Sequence, residues 1–371
     1  MNFIGIDLHT NKFTCCYRNE HSPADNPKKG REIKTFNLTE DGLTAFYQTL
    51  TSDTYVLVEA TITTFSFVRL FKDRVKQVIV ANTYELKQIS HARCNTDKID
   101  ADILCRFLKA QIISGEQFIT NVFVPSKEIQ DLRSYFTTYR LLKKQNVQLK
   151  NRIHSLLKEQ LYGFTQEEIF NAKSRVKIRT IGLGSAMNKQ VCMLLDRLER
   201  DESDVEELEA QIKIYARPFM ELIEILTSMK GISVFIAIAI IADVIDVSRF
   251  KNSKAFTSYL RSAPRVSNSN TSERTRGINK KGRKLAATLI TNSLEHVMNS
   301  SNKLRRWYDR LCEYKKPGLV RTGLRRRVFA EIFQMLKKKE YHYGREPLKH
   351  EQKMSQYRSF LKKRKNLLEI A

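Results

Sequence analysis

Five short apolar runs lie within the first 81 residues: Phe3–Leu8, Phe13–Tyr17, Glu32–Phe36, Tyr55–Ala60 and Val75–Ala81. Runs of this length bounded by polar residues read as strands. The polar turn His9–Lys12 makes Phe13–Tyr17 a hairpin partner of Phe3–Leu8. Helical spacing separates the later runs, at Asp41–Leu50 and Phe65–Phe71. It returns from Thr96, where Ile99, Ile103, Leu104, Phe107 and Leu108 share one side. Three strands followed by alternating helix and strand require a sheet with helices packed on it. Periodicity alone supports an α/β fold and nothing finer.

The rest of the chain reads as helical. Over residues 127–160, Ile129, Leu132, Phe136, Leu142, Leu149, Ile153 and Leu156 recur mostly at three- and four-residue steps. A second long helix is expected over 187–216, with Leu194, Leu198, Val205, Leu208 and Ile212. The two can pair as an antiparallel hairpin or across a subunit interface. A third helical region begins at LTSMKGIS, contains a polar basic loop at Ser267–Lys284, and ends at LRRRVFAEIFQMLKKKE. The expected organisation is an α/β domain at 1–120, a helical, coiled-coil-like assembly arm at 121–224, a mainly α domain at 225–345 and a basic tail at 346–371. The tail carries Lys353, Arg358, Lys362, Lys363, Arg364 and Lys365, which either lie on phosphates or stay solvated.

Charge narrows the partner. The 65 Lys and Arg residues outnumber 40 Asp and Glu, a formal net charge of +25. This exceeds what solubility needs and suggests a polyanion, because cations that neutralise phosphates release condensed counterions. Nucleic acid is the favoured polyanion and a membrane surface the weaker one. The longest apolar stretch, Ile232–Ala242, is too short to span a bilayer. The opening MNFIGIDLHT lacks a basic n-region, so it does not read as a signal peptide. Cys15, Cys16, Cys94, Cys105, Cys192 and Cys312 form no C-x-x-C pair and read as reduced thiols of a cytoplasmic protein.

Four acids stand out against this background. Asp7 lies inside the run Phe3-Ile4-Gly5-Ile6-Asp7-Leu8, where a carboxylate is costly unless compensated. Glu59 closes the run Val56-Leu57-Val58-Glu59-Ala60, and adjacent strands would bring both carboxylates to one sheet edge. Asp97 and Asp100, three apart at a helix start, share a face. Acids there also favour the helix dipole, which suffices for Asp97 but explains Asp100 less well. Asp102 falls about 200° round the helix from Asp100 and is left out. Converging carboxylates suit hard divalent cations, and two such ions about 3.5–4 Å apart can clamp the oxygens of a phosphodiester.

The strings FIGIDLHTNK, VLVEAT and TDKIDADILCRFL resemble the RuvC-like domain of the DEDD-type insertion-sequence transposases, recombinases associated with a bridge RNA. The similarity continues in LTSMKGIS, RFKNSKAFTSYLRSAPR, RGINKKGRKL and LRRRVFAEIFQMLKKKEY, in the family's order and over nearly the whole chain. The resemblance implies an RNase H/RuvC-like N-terminal domain, a helical arm, and a mainly α C-terminal domain with a helix-hairpin-helix-like segment. It places the family's four acids on Asp7, Glu59, Asp97 and Asp100, holding Mg2+ or Mn2+. It also implies a serine nucleophile a few residues after Tyr259–Arg265; the aligned triplet is Asn268-Ser269-Asn270, which points to Ser269. Ser267 and Ser272 are close competitors, Asn270 and Arg261 replace usual glycines, and Ser233 replaces the second glycine of the MKGIS turn. Implied partners are DNA, a guide RNA and further copies of the chain, with no membrane.

Phosphate contacts are expected from Lys230 and Gly231 in that turn, and from Arg274, Arg276, Lys280, Lys281, Arg283 and Lys284 in the basic loop. Trp307 and Tyr308 read as core residues before base-stacking ones. Two other functions fit part of the pattern. One is a junction-resolving endonuclease that hydrolyses DNA with a metal-activated water. The other is a non-catalytic nucleic-acid-binding protein.

Overall fold

A computed structural model of the chain describes residues 1–23, 29–83, 86, 96–269, 272–279, 282–299 and 302–368, with 166, 170, 172, 265–269, 272–276 and 365–368 described by backbone alone. The chain divides into two units, Met1–Pro125 and Ser126–Ala371.

In the first unit the five apolar runs become β1 (Asn2–Leu8), β2 (Lys12–Asn19), β3 (Glu32–Asn37), β4 (Thr54–Glu59) and β5 (Gln77–Ala81). They form one mixed sheet in the order β3-β2-β1-β4-β5. The β1–β2 and β2–β3 pairs are antiparallel, and β1–β4 and β4–β5 are parallel. Helices α1 (Glu40–Tyr47) and α2 (Thr64–Phe71) cover one face, over Ile4, Ile6, Phe13, Val56 and Val58. Helix α3 (Asp97–Ser114) covers the other, where Ala101, Leu104, Cys105 and Leu108 pack on Phe3, Tyr55 and Leu57. Burial on both faces explains why these strands read as continuous apolar runs.

Asp102 faces a different environment from its helical neighbours. It is buried beside Arg18, whose Nη2 lies 2.7 Å from Oδ1, and Arg31 Nη1 lies 3.3 Å from Oδ2. Asp102→Ala removes the carboxylate against which both guanidinium groups are placed, and stability should fall by about 3 kcal/mol. Urea denaturation checks this; a loss under about 1 kcal/mol would mean the pair contributes little.

The second unit starts with α4 (Lys127–Glu159), which runs antiparallel to α7 (Ser185–Tyr215). Ile153, Leu156 and Leu157 of α4 meet Val191, Leu195 and Leu198 of α7 in a small core, which Ile169 and Ile178 of α5 (Gln166–Phe170) and α6 (Ala172–Thr180) complete. The opposite ends of α4 and α7 enter a larger core with α8 (Met220–Thr227), α9 (Val234–Val244), α10 (Ser253–Tyr259), α11 (Leu285–Met298) and α13 (Pro317–Lys338). A further helix, α12 (Asn302–Cys312), packs Leu304 and Trp307 against this core.

Two segments carry regular structure that their sequence does not announce. The polar loop contains a two-stranded antiparallel hairpin, β6 (Pro264–Ser269) and β7 (Ser272–Ile278). The basic tail is largely the helix α14 (Pro347–Leu368), anchored by buried Met354 and Tyr357. Among the described residues no helix is long and apolar enough to cross a membrane. The described cysteines are free, and Cys94 lies outside the described residues.

Candidate active site

The site forms where β1, β4 and α3 end or begin together. Asp7 is the penultimate residue of β1, on the carboxyl end of a central strand, where open α/β sheets present ligands. The parallel register pairs Ile6 with Val58, so one further step sets Glu59 beside Asp7. Strand side chains alternate, and Asp7 and Glu59 fall in phase with Phe3 and Leu57, towards α3.

Gly5 lets α3 approach. A Cβ at that position would collide with the Ala101 carbonyl and the Cys105 amide of α3. The helix starts close by, with Thr96 Oγ1 accepting from the Ile99 amide as N-cap. This brings the first turn, with Asp97 and Asp100, up to Asp7. Gly5→Ala forces the helix off the sheet and should cost about 3 kcal/mol or more of stability. It should also separate the acids, so a thermal melt and a cleavage assay should both register the change; unchanged values would show that the close approach has no consequence.

Asp7, Asp97 and Asp100 feel one another. Burial, opposed by His9 and reinforced by the charges of Asp100 and Asp97, holds the Asp7 carboxyl above its usual range. Burial and then Asp97 raise Asp100. Asp97 is lowered, chiefly by its hydrogen bond from Lys12, at 2.7 Å. Glu59 stands in register with this group but is not bonded through its carboxylate to any described residue.

A histidine and a lysine that sequence reading passed over complete the cluster. His9 Nε2 lies 3.1 Å from Asp7 Oδ2 and 3.3 Å from Asp97 Oδ1. Lys12 Nζ meets the other oxygen of Asp97, Oδ2. The ligand atoms of Asp7, His9 and Asp97 all lie within 4.8 Å of one another. The signal for His9 was its place two residues after Asp7, on the same side of an extended segment. The donor set suits a divalent cation: oxygen ligands, clustered negative charge, and carboxylates whose mutual repulsion a cation would relieve.

The family follows from this arrangement together with sequence comparison. The family model for DEDD-type IS110 elements, described as "Transposase", matches residues 4–161 and so contains all four acids. A second, "Transposase IS116/IS110/IS902 family", matches residues 223–309. The chain belongs to the IS110 family of DEDD transposases. A curated relative, the transposase for insertion sequence element IS1111A of Coxiella burnetii, is 25% identical over 230 residues. That match covers 59% of this chain and 62% of the relative, less than two thirds of its length.

The family's second matched region holds the other expected site residues. Ser269 ends β6, its backbone paired with Ser272 at the far end of the hairpin, and Ser267 pairs with Arg274. Arg276 lies further along β7, while Lys280 and Lys281 lie outside the described residues. Arg283 Nε is 3.2 Å from the buried Asp243, which also accepts from the Ala286 amide at the start of α11. Lys284 is exposed beside it. Gly231 takes φ +88°, and a Cβ there would meet Val297 at 2.7 Å. Lys230 is ion-paired to Glu346 at 2.7 Å. Ser233 caps α9 by accepting from the Ile236 amide at 3.2 Å, which gives that glycine replacement a structural role.

Proposed function

We propose that this chain cleaves and rejoins DNA strands for a mobile element, with a RuvC-like acidic centre and a serine nucleophile. The observation that carries the reading is the convergence of Asp7, Asp97 and Asp100, with Glu59 in register, on the sheet edge of a DEDD-family chain.

Asp7, Glu59, Asp97 and Asp100 would hold Mg2+ or Mn2+, which supplies Lewis-acid stabilisation of charge on phosphodiester oxygens. The protein residues do the rest. Asp7 is fixed by the central strand, and Lys12 orients Asp97. The Ser269 hydroxyl attacks phosphorus, a deoxyribose oxygen leaves as a hydroxyl, and the phosphoserine ester conserves the bond. Attack by another deoxyribose hydroxyl reverses the step and frees the serine, so rejoining draws on no external energy. A serine hydroxyl is a weak nucleophile and needs a base or metal near it. We place the acids and the serine of one reaction centre on different copies of the chain within a homo-oligomer, as the family resemblance implies.

The net charge of +25 suits contact with nucleic acid. Arg274, Arg276, Lys280, Lys281 and Lys284 would lie on phosphates, as would the backbone of the Gly231 turn, although the bare side of that glycine is taken up by Val297. Arg283 and Lys230 would first have to exchange Asp243 and Glu346 for phosphate. The target is selected by a non-coding RNA transcribed beside the coding region. A cleavage and strand-exchange assay on element-end DNA with Mg2+, with and without that transcript, tests this. Exchange only with the transcript is expected; exchange without it would remove the guide from the account.

A further inference from the structure

Resting on the metal-site reading above, we propose that His9 is a nitrogen ligand of the bound cation and makes this site favour Mn2+ over Mg2+. The argument starts from the backbone. His9 opens the turn between β1 and β2, and its amide donates to the Lys12 carbonyl at 3.0 Å. That bond fixes the backbone from which the ring projects, two residues beyond Asp7. The imidazole then reaches between two carboxylates on different elements, 3.1 Å from Asp7 on the strand and 3.3 Å from Asp97 on the helix.

The division of Asp97 supports this placement. Its Oδ2 is taken by Lys12, so Oδ1 is the oxygen that faces His9. Asp7 Oδ2, Asp97 Oδ1 and His9 Nε2 thus converge on one small volume. The His9 side chain is 48% exposed, so a hydrated ion can reach it from solvent.

An all-carboxylate site offers little basis for choosing between the two metals. Mg2+ is a hard ion that keeps water and oxygen ligands and gains little from imidazole. Carboxylate and water suit Mn2+ as they suit Mg2+, but Mn2+ is a d-block ion of the series whose affinity rises with nitrogen donors, and it accepts an imidazole more readily than Mg2+ does. One nitrogen donor among oxygens therefore shifts preference towards Mn2+. His9 would also help to orient Asp7 and Asp97 when the ion is bound, since all three are ligands of the same centre.

The test uses the full chain and Mn2+ as the probe. Bound Mn2+ is titrated by electron paramagnetic resonance, and electron spin-echo modulation reads nitrogen coordination directly. Wild type should show 14N modulation from one imidazole. His9→Ala and His9→Gln should both lose it, the second retaining a polar side chain should the first fold poorly. Mn2+ affinity should fall about tenfold in both, and Mg2+ affinity, read by competition, by less than about threefold. Mn2+ bound at the acids without nitrogen modulation, or equal weakening for both metals, overturns the inference and leaves the acid-site reading standing. No Mn2+ bound by wild type overturns both.

Discussion

Asp7→Asn stops DNA strand cleavage, with a rate at least about a thousandfold below wild type, or about 4 kcal/mol of lost transition-state stabilisation. The substitution preserves shape and removes one charge. Asp7 sits on a central strand between sheet and helix, so its carboxylate has little freedom to be replaced by a neighbour. Its position is the one from which Asp97, Asp100 and His9 are all felt. Asp97→Asn should have a similar effect, and so should Asp100→Asn. Asp102→Asn is the control: it changes an acid of the same helix that is bonded to Arg18 away from the cluster. A folded Asp102→Asn protein should therefore still cleave. Full cleavage by Asp7→Asn would end the metal-site account, and equal losses in all four variants would reduce it to a statement about stability.

Ser269→Ala removes the covalent protein–DNA adduct. In wild type, denaturing the reaction should trap labelled DNA on the chain, and peptide mapping should place it on Ser269. Strand cleavage should fall by more than about a thousandfold in the variant, since removing a nucleophile disables the step it performs. Ser267→Ala and Ser272→Ala should keep the adduct. These two are the necessary controls, because Ser272 is paired with Ser269 across the hairpin and Ser267 lies two residues before it. Wild-type cleavage by Ser269→Ala without any adduct would favour water as the nucleophile and the junction-resolving nuclease reading. An adduct on Ser272 or Ser267 would move the nucleophile and leave the rest of the scheme intact.

Much of the first unit was legible because burial on both sheet faces writes strands as apolar runs. Phe3–Leu8 and Tyr55–Ala60 became β1 and β4 within a residue at either end. The two long helices were equally plain, since Leu156 and Leu198 belong to apolar stripes sustained over many turns. The hairpin at β6 and β7 was not legible. Its sequence, PRVSNS then SERTRGI, has no apolar alternation and reads as a polar loop. The last helix was hidden for a related reason: among its described residues, His350, Met354 and Tyr357 are the few buried anchors in a largely basic sequence. At the acids, the sequence revealed which carboxylates are out of place among apolar residues, but not what faces them. His9 and Lys12 joined the cluster only once a strand turn and a helix start were brought together across 85 residues. The ion pairs of Lys230 with Glu346 and of Arg283 with Asp243 are likewise long-range pairings that local charge patterns do not encode.

The central claim is that Asp7, Glu59, Asp97 and Asp100 form one divalent-metal centre. Anomalous diffraction from crystals of the full chain soaked in Mn2+ tests it most directly. The account predicts a peak within about 2.5 Å of carboxylate oxygens of Asp7 and Asp97, with Glu59 and Asp100 close enough to complete that ion's shell or to hold a second. Crystals of cleavage-competent protein with Mn2+ bound elsewhere, and none at these four acids, would contradict it.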